Sequence, residues 1–419
     1  MQGLVVLFML IASYRLLAFV YETAPVLMFS DRWMSLDPLF NGDSFWEGFS
    51  HKHGPHRTGL AYVLFSITTF LGDWNARWDM FMQVTIYMVT ALLAWRLKYL
   101  IFKRSHWFDF LIPLIFITTQ AALTVVINPY VHGLVPLFCL LFCLGYFIRG
   151  TVLREVYFSI VTFLGLFSGF ALFASLVFLP VEGVSWLRKP TLSEGVKFIL
   201  PFAGSIFIFG SQVGMGGTLS FENSFSYYLE YLTYLLGDFL VLNTSSYWYV
   251  YLIMGVAFFV LVLKVTSRSA LAVISVHMLK ILLILFGTTI LFVAANVLGR
   301  ADMGLENAGT SRYLPVIMPM MLGIYFLILQ INAEKLRFVL VVGLALVMVR
   351  SQFINSGRII ATERVAATVK EWEQCLLESK DYEQCRLEVG LGMVPDGLEK
   401  SLQEKIDFLE ANNLSIYKE

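Results

Sequence analysis

The stretch Asp79-Met-Phe-Met-Gln-Val-Thr-Ile-Tyr-Met-Val-Thr-Ala-Leu-Leu-Ala-Trp-Arg96-Leu-Lys98-Tyr-Leu-Ile-Phe-Lys103-Arg104 decides how this chain is read. Segment 79–97 is a predominantly apolar run, and at about 1.5 Å per residue it crosses a hydrocarbon layer about 30 Å thick. Four cations, Arg96, Lys98, Lys103 and Arg104, close it. A basic cluster at one end of an apolar run marks the side that stays in the cytoplasm.

Working outward, the same signature recurs. Runs at 3–21, 107–127, 131–148, 196–212, 247–264, 271–297, 313–331 and 336–350 predict further spans, the last of them short. The whole chain of 419 residues is 58% hydrophobic and 14% charged, with mean hydropathy +0.72. Soluble domains sit near about 45–50% apolar and about 25% charged, so lipid is the expected solvent. Thirty Lys and Arg against thirty Asp and Glu leave no net charge, which excludes a nucleic-acid footprint. Met1–Tyr21 lacks a basic n-region and a small-x-small cleavage site and carries Arg15 inside the run, so it reads as a retained span.

Two stretches are ambiguous by length. Thr58–Gly72 is too short to span comfortably, and Val156–Leu187 is too long for one span and just enough for two. The basic clusters resolve both. Arg96 to Arg104, Arg149 with Arg154, Arg188 with Lys189, Lys264 with Arg268, and Lys335 with Arg337 share one side only under one condition. Segment 58–72 must lie in the interface, and 156–187 must be a hairpin turning near Ser168-Gly169. The expectation is an all-α bundle of about eleven spans with the N-terminus inside and the C-terminus outside. Residues 1–350 form the membrane domain, with 22–78 as a first exoplasmic loop, and 351–419 form a small extracytoplasmic helical tail. In such a tail Cys375 and Cys385 either close a small disulfide loop or stand as two separate thiols. The tail reads as helices at 361–379 and 398–412, split by Val389-Gly-Leu-Gly-Met-Val-Pro395.

Beyond Arg15 and Lys280 the spans carry few charges, and the charges cluster at one face. That pattern points to an interfacial site in the exposed loops rather than a conduit. The first loop gathers Asp31, Asp37, Asp43, Glu47, His51, His53, His56 and Arg57. Pro55 suits the first position of a helix over 55–71, which places His56 and Arg57 in its first turn. Cations there are disfavoured by the helix dipole unless an anion joins them, so the reading is a phosphate site or a head-group anchor. Asp43 and Glu47 are spaced to share a helical face, and a carboxylate near a dry membrane face gains the raised pKa of a general base. His51-x-His53-x-x-His56 also has spacing compatible with a divalent metal, without fixing a geometry. A second candidate runs from Gly299 to Tyr313, where Arg300, Arg312 and Tyr313 lie at head-group depth; a guanidinium there either grips a lipid phosphate or snorkels. Loop 213–246 is an aromatic belt or a sugar platform, and His132 and His277 read as structural.

The arrangement resembles the GT-C superfamily of integral-membrane glycosyltransferases, and more closely a set of bacterial multi-pass proteins. The resemblance rests on His53-Gly-Pro-His56-Arg57, on Gly299-Arg300…Gly304…Ser311-Arg312-Tyr313, and on the Cys375/Cys385 tail. It implies a polyprenyl-phosphate-sugar donor, a membrane-lipid environment in the bacterial inner membrane, and sugar transfer at the extracytoplasmic face. It also implies an acidic base in the first loop and, over the whole chain, a GT-C-like bundle with interfacial helices. In that pattern an acid commonly precedes the His-Arg pair; here Pro55 stands there, which moves the expected base to Asp43, with His53 and His56 supporting it. Arg57, Arg300, Arg312 and Tyr313 are then the donor-binding residues. The rival readings are a transporter or flippase for a lipid-linked substrate, and a non-catalytic subunit of envelope polysaccharide assembly.

Overall fold

The computed structural model describes residues 2–29, 31–53, 56–127, 129–188, 195, 203, 223–237, 275–308, 311–353, 357–389 and 399–418. The expected spans 196–212 and 247–264 lie outside the described residues, as do Lys264 and Arg268. In chain order the helices begin with α1 (Gln2–Thr23), α2 (Asp31–Ser35), α3 (Asp37–Asn41), α4 (Phe45–Ser50), α5 (Leu60–Leu71) and α6 (Arg77–Phe102). There follow α7 (Leu111–Phe116), α8 (Ala122–Ile127), α9 (Pro129–Gly133), α10 (Val135–Gly145), α11 (Thr151–Leu166), α12 (Leu172–Arg188) and α13 (Phe225–Gly237). The rest are α14 (Val276–Arg300), α15 (Leu305–Ala308), α16 (Leu314–Leu329), α17 (Glu334–Phe353), α18 (Gly357–Ser379), α19 (Tyr382–Val389) and α20 (Glu399–Ala411). Among the described residues a single ladder interrupts them, with β1 (Lys52–His53) antiparallel to β2 (His56–Arg57) and Lys52 opposite Arg57. Helices α1, α6 and α14 are long and apolar enough to cross a membrane, at 22, 26 and 25 residues. Membrane association follows from these three.

Polar contacts orient the bundle. Lys98 Nζ donates to Asp109 Oδ2 at 2.6 Å and Tyr325 Oη donates to Asp109 Oδ1 at 2.7 Å. The C-terminal halves of α6 and α16 therefore share one end. Thr289 Oγ1 donates to the Val316 carbonyl at 2.7 Å, and Phe286 packs on Gly323, so α14 runs antiparallel to α16. At the start of α14, Lys280 Nζ reaches Glu182 Oε1 at 2.8 Å, and Tyr146 Oη donates to the same oxygen at 2.6 Å. This end of the bundle holds Arg96 and Lys98 in the last turns of α6 and Lys103 and Arg104 just after it, Arg149 before α11 and Arg154 in its first turn, Arg188 closing α12, and Lys335 and Arg337 opening α17. We call it the basic end.

At the opposite, loop end, Ala76 N–H donates to the Val26 carbonyl at 2.8 Å and Arg77 Nε to the Ala24 carbonyl at 3.0 Å. These bonds join the end of α1 to the start of α6. The tail docks on the same end. Lys370 Nζ reaches the Glu22 carbonyl at 2.8 Å, Glu373 accepts from the Leu27 N–H at 2.6 Å, Lys405 pairs with Asp37, and Lys418 pairs with Asp73. Cys375 and Cys385 are joined as a disulfide, so the closed-loop alternative holds over separate thiols.

The hairpin expected at Ser168-Gly169 is present. Gly169 turns there with φ +55°, and Ser168 Oγ accepts from the Leu60 N–H at 3.2 Å, tying the turn to α5. Helix α5 is short, and both its ends lie at the loop end, bonded to Ser168 on one side and next to Asp73 on the other. Two readings need correction. Segment 107–127 is not one helix: it breaks after Phe116, and Gln352 Nε2 donates to the freed carbonyls of Leu114 (3.1 Å) and Ile117 (3.3 Å). An amide donor from α17 supplies the hydrogen bonds that the broken helix no longer makes. The short last run is α17, extended by polar ends to 20 residues.

Candidate functional site at the loop end

The break in 107–127 and the prolines at 129 and 136 leave α8 and α9 as short pieces set between the first loop and the late arginine turn. Tyr130 and His132 lie two residues apart on α9, hence on nearly opposite sides of it. On one side Tyr130 Oη donates to Asp79 Oδ1 at 3.3 Å, and Thr68 Oγ1 donates to the same oxygen. Beside Asp79 lies Arg32, fully buried, with Nη1 donating to the Ala76 carbonyl at 3.4 Å. Its Nε and Nη2 have no hydrogen-bond partner among the described residues. Burial lowers the Arg32 pKa and the Asp79 charge opposes that fall. On the other side His132 packs its ring 4.4 Å from Phe170 and 5.6 Å from Tyr313.

Tyr313 is the centre of the arginine turn, and only 1% exposed. Arg300 Nη1 donates to its hydroxyl at 2.7 Å, with the Arg300 guanidinium 5.8 Å from the ring centre. Arg312 lies 5.1 Å from the same centre, and its Nε is buried with no hydrogen-bond partner among the described residues. Two cations thus share one phenol hydroxyl, an arrangement that favours a bound anion over empty space. Helix α13 braces the turn: Tyr231 Oη donates to Asn296 Oδ1 at 2.8 Å and Tyr227 Oη to the Ala301 carbonyl at 3.0 Å. Those tyrosines of loop 213–246 are therefore held inward by hydrogen bonds, whereas Phe225 is 78% exposed.

The first loop reaches this place through aromatic rings. Arg57 donates from Nη1 to the Ser50 carbonyl at 2.6 Å and lies 5.7 Å from the Phe167 ring. Across the turn that follows, Phe170 packs on Phe292 (5.5 Å) and Phe292 on Tyr313 (5.5 Å). His132, Phe170, Phe292 and Tyr313 thus form one aromatic wall beside Arg300 and Arg312, while Arg57 lies at the same end on Phe167, whose ring packs on Phe49 and Phe163.

Two expectations for the loop fail. His56 and Arg57 are not in a helical first turn, because the chain forms the β1–β2 ladder and α5 starts only at Leu60. The positive φ of Gly59 (+47°) makes the bend between strand and helix. Asp43 and Glu47 do not share a helix face. Ser44 is the N-cap of α4, and Glu47 closes a capping box by accepting from the Ser44 N–H (2.8 Å) and Oγ (2.7 Å). Those bonds lower the Glu47 pKa, opposite to the rise a general base needs. Asp43 lies outside the cap, exposed, and its carboxylate makes no hydrogen bond among the described residues. The side chains of His53 and His56 lie outside the described residues, and among those described no group of three metal-ligating side chains forms.

Charge is also not confined to one face, because Lys98–Asp109 and Glu182–Lys280 are ion pairs at the basic end. Sequence reasoning missed Arg32, Asp79, Tyr130 and Glu182. An acid in the first turn of a long apolar helix is the signal that marks Asp79. Nothing local marks Arg32, whose burial depends on α6 and the tail. Comparison with family models, with curated proteins and with solved structures finds no match to this chain.

Proposed function

We propose that this chain is a GT-C-type membrane glycosyltransferase that moves a sugar from a polyprenyl-phosphate donor to an acceptor at the extracytoplasmic face of a bacterial plasma membrane. In this reading the loop end faces outward, the basic end faces the cytoplasm, and the described helices belong to a bundle of about eleven spans. The N-terminus is cytoplasmic, and the tail, closed by its disulfide, lies in an oxidising compartment. The observation that carries the proposal is the pair of guanidiniums on Tyr313. Arg300 and Arg312 take the donor phosphate and stabilise the charge that develops on it as the glycosidic bond breaks. The aromatic wall takes the prenyl chain or the sugar face. Asp43, exposed at the joint of α3 and α4, removes the acceptor proton, with His53 and His56 beside it in sequence.

Transfer of radiolabelled sugar from a polyprenyl-phosphate donor to membrane acceptors tests the reading. Asp43→Asn is expected to reduce transfer by about a hundredfold or more, the scale of general-base loss. Full activity in that variant removes Asp43 from the mechanism. Arg312→Ala is expected to weaken binding of polyprenyl phosphate itself, and unchanged binding removes the donor site. Cysteines placed at positions 43 and 306 are expected to react alike with an impermeant thiol reagent in intact cells; opposite accessibility breaks the site apart.

A second reading, a transporter or flippase for a lipid-linked substrate, is favoured by one observation: the Glu182–Lys280–Tyr146 cluster inside the bundle. Loss of substrate movement in reconstituted vesicles on Glu182→Gln, with transfer absent from the wild type, selects it. A non-catalytic assembly subunit predicts neither transfer nor lipid-phosphate binding.

A further inference from the structure

The basic end carries a groove that plays no part in the proposed transfer. It has a volume of about 820 Å³ and lies between the segment before α7 and the first turns of α17. Its lining includes Trp107, Phe108 and Phe338, the cations Lys335 and Arg337, His106, and one acid, Glu334. Phe108 and Phe338 pack ring to ring at 5.9 Å, while Trp107 (68%) and Phe338 (58%) remain largely exposed. Cations and aromatic surface therefore stand side by side.

The charge placement is unusual for a helix. Lys335 and Arg337 lie in the first turn of α17, where the helix dipole disfavours cations. Arg337 Nη1 donates to the Ile331 carbonyl at 3.2 Å and Nη2 meets Glu334 Oε1 at 3.6 Å, but Glu334 is 87% exposed, and such a surface pair holds little. Lys335 makes no hydrogen bond or ion pair among the described residues. Below the rim, Asp109 is already committed to Lys98 and Tyr325, so it does not neutralise the groove. His106 adds no positive charge at neutral pH, because burial and then Lys98 lower its pKa to about 4.

From this geometry we propose that the groove binds one anionic phospholipid, its phosphodiester on Lys335 and Arg337 at the start of α17 and its acyl chain along Phe108, Phe338 and Trp107. Cations over an aromatic trough match a lipid, with a charged head and an apolar tail, better than a free anion, which needs no trough. The proposal rests on membrane association alone and not on the transferase reading.

The test uses the full chain purified in detergent and native mass spectrometry with phosphatidylglycerol or phosphatidylcholine added. The wild type is expected to retain phosphatidylglycerol roughly tenfold better, the scale of one to two cations near an anionic surface. The Lys335→Gln/Arg337→Gln variant is expected to retain both lipids alike, and the charge-keeping Lys335→Arg/Arg337→Lys variant to retain the preference. No preference in the wild type, or a preference that survives in the glutamine variant, overturns the proposal. So does displacement of phosphatidylglycerol by inorganic phosphate, which marks a simple anion site. If the glutamine variant does not fold, phosphatidylglycerol with brominated chains is expected to quench a fluorescence component that Trp107→Phe removes. Equal quenching in both proteins also overturns it.

Discussion

At the residue scale the most costly feature of the loop end is Arg32, fully buried with only Ala76 as a hydrogen-bond acceptor among the described residues. A guanidinium in that position persists only if its charge is compensated, and Asp79 is the compensating group. Thr68 and Tyr130 in turn hold the carboxylate in place. Removing one partner leaves an uncompensated buried charge, so Asp79→Ala is expected to destabilise the chain by about 3–5 kcal/mol. The double variant Arg32→Met/Asp79→Leu is expected to recover most of that loss, since apolar groups of similar size need no pairing. Thermal unfolding in detergent reads both. A double variant as unstable as Asp79→Ala shows that the pair does not act as a unit. Neither residue is singled out by the sequence reading; an acid in an apolar run is a signal that could have marked Asp79, whereas nothing local marks Arg32 in a polar loop beside Asp31.

At the scale of elements, the join between the first loop and the α11–α12 hairpin is a close one, and Gly59 makes the nearest approach of any described glycine. A Cβ on Gly59 would come to 1.7 Å from the Phe167 carbonyl oxygen, and Gly59 has φ +47°. Backbone cannot swing aside as a side chain does, so Gly59→Ala must push α5 off the hairpin. The expected loss is about 2–4 kcal/mol, from overpacking and the left-handed backbone together. Gly42 is the matched control: its φ is +72° with nothing within 4 Å of an added Cβ. Gly42→Ala is expected to lose only about 1–2 kcal/mol, the backbone part alone. Equal losses at both positions mean that the hairpin does not bear on α5. The hairpin turn at Ser168-Gly169 was legible because the basic clusters permitted no other topology. The strand ladder at 52–57 was not, because Pro55 fits the start of a helix as well as the turn of a hairpin, and only pairing between Lys52 and Arg57 separates the two.

At the scale of the whole molecule, the tail straps the first loop. Its bonds reach Glu22, Leu27, Trp33, Asp37 and Asp73, and the disulfide closes a loop between residues 10 apart. Closing a loop of that length stabilises by about 2–3 kcal/mol in the chain-entropy account. Cys375→Ser is therefore expected to free the tail before the bundle unfolds, seen as faster proteolysis within 357–418 while α1 and α6 stay protected. Simultaneous cleavage of tail and bundle shows that the two unfold as one. The same strap positions Asp37 and the joint that carries Asp43, so loosening it is expected to lower transfer without touching Arg312.

Hydropathy and the side on which lysine and arginine fall are properties of the chain as written. From them alone came the helical membrane class, the antiparallel course of the described helices and the two polar regions worth examining. Those quantities are local, summed over tens of residues, and a sequence reports them directly. Which polar residues meet depends on long-range packing. Only the folded chain sets Tyr130 on Asp79, sends Glu47 to cap α4, and stacks both late arginines on Tyr313. Each such contact joins residues whose separation along the chain carries no trace of their distance in space, and burial then determines what that contact is worth.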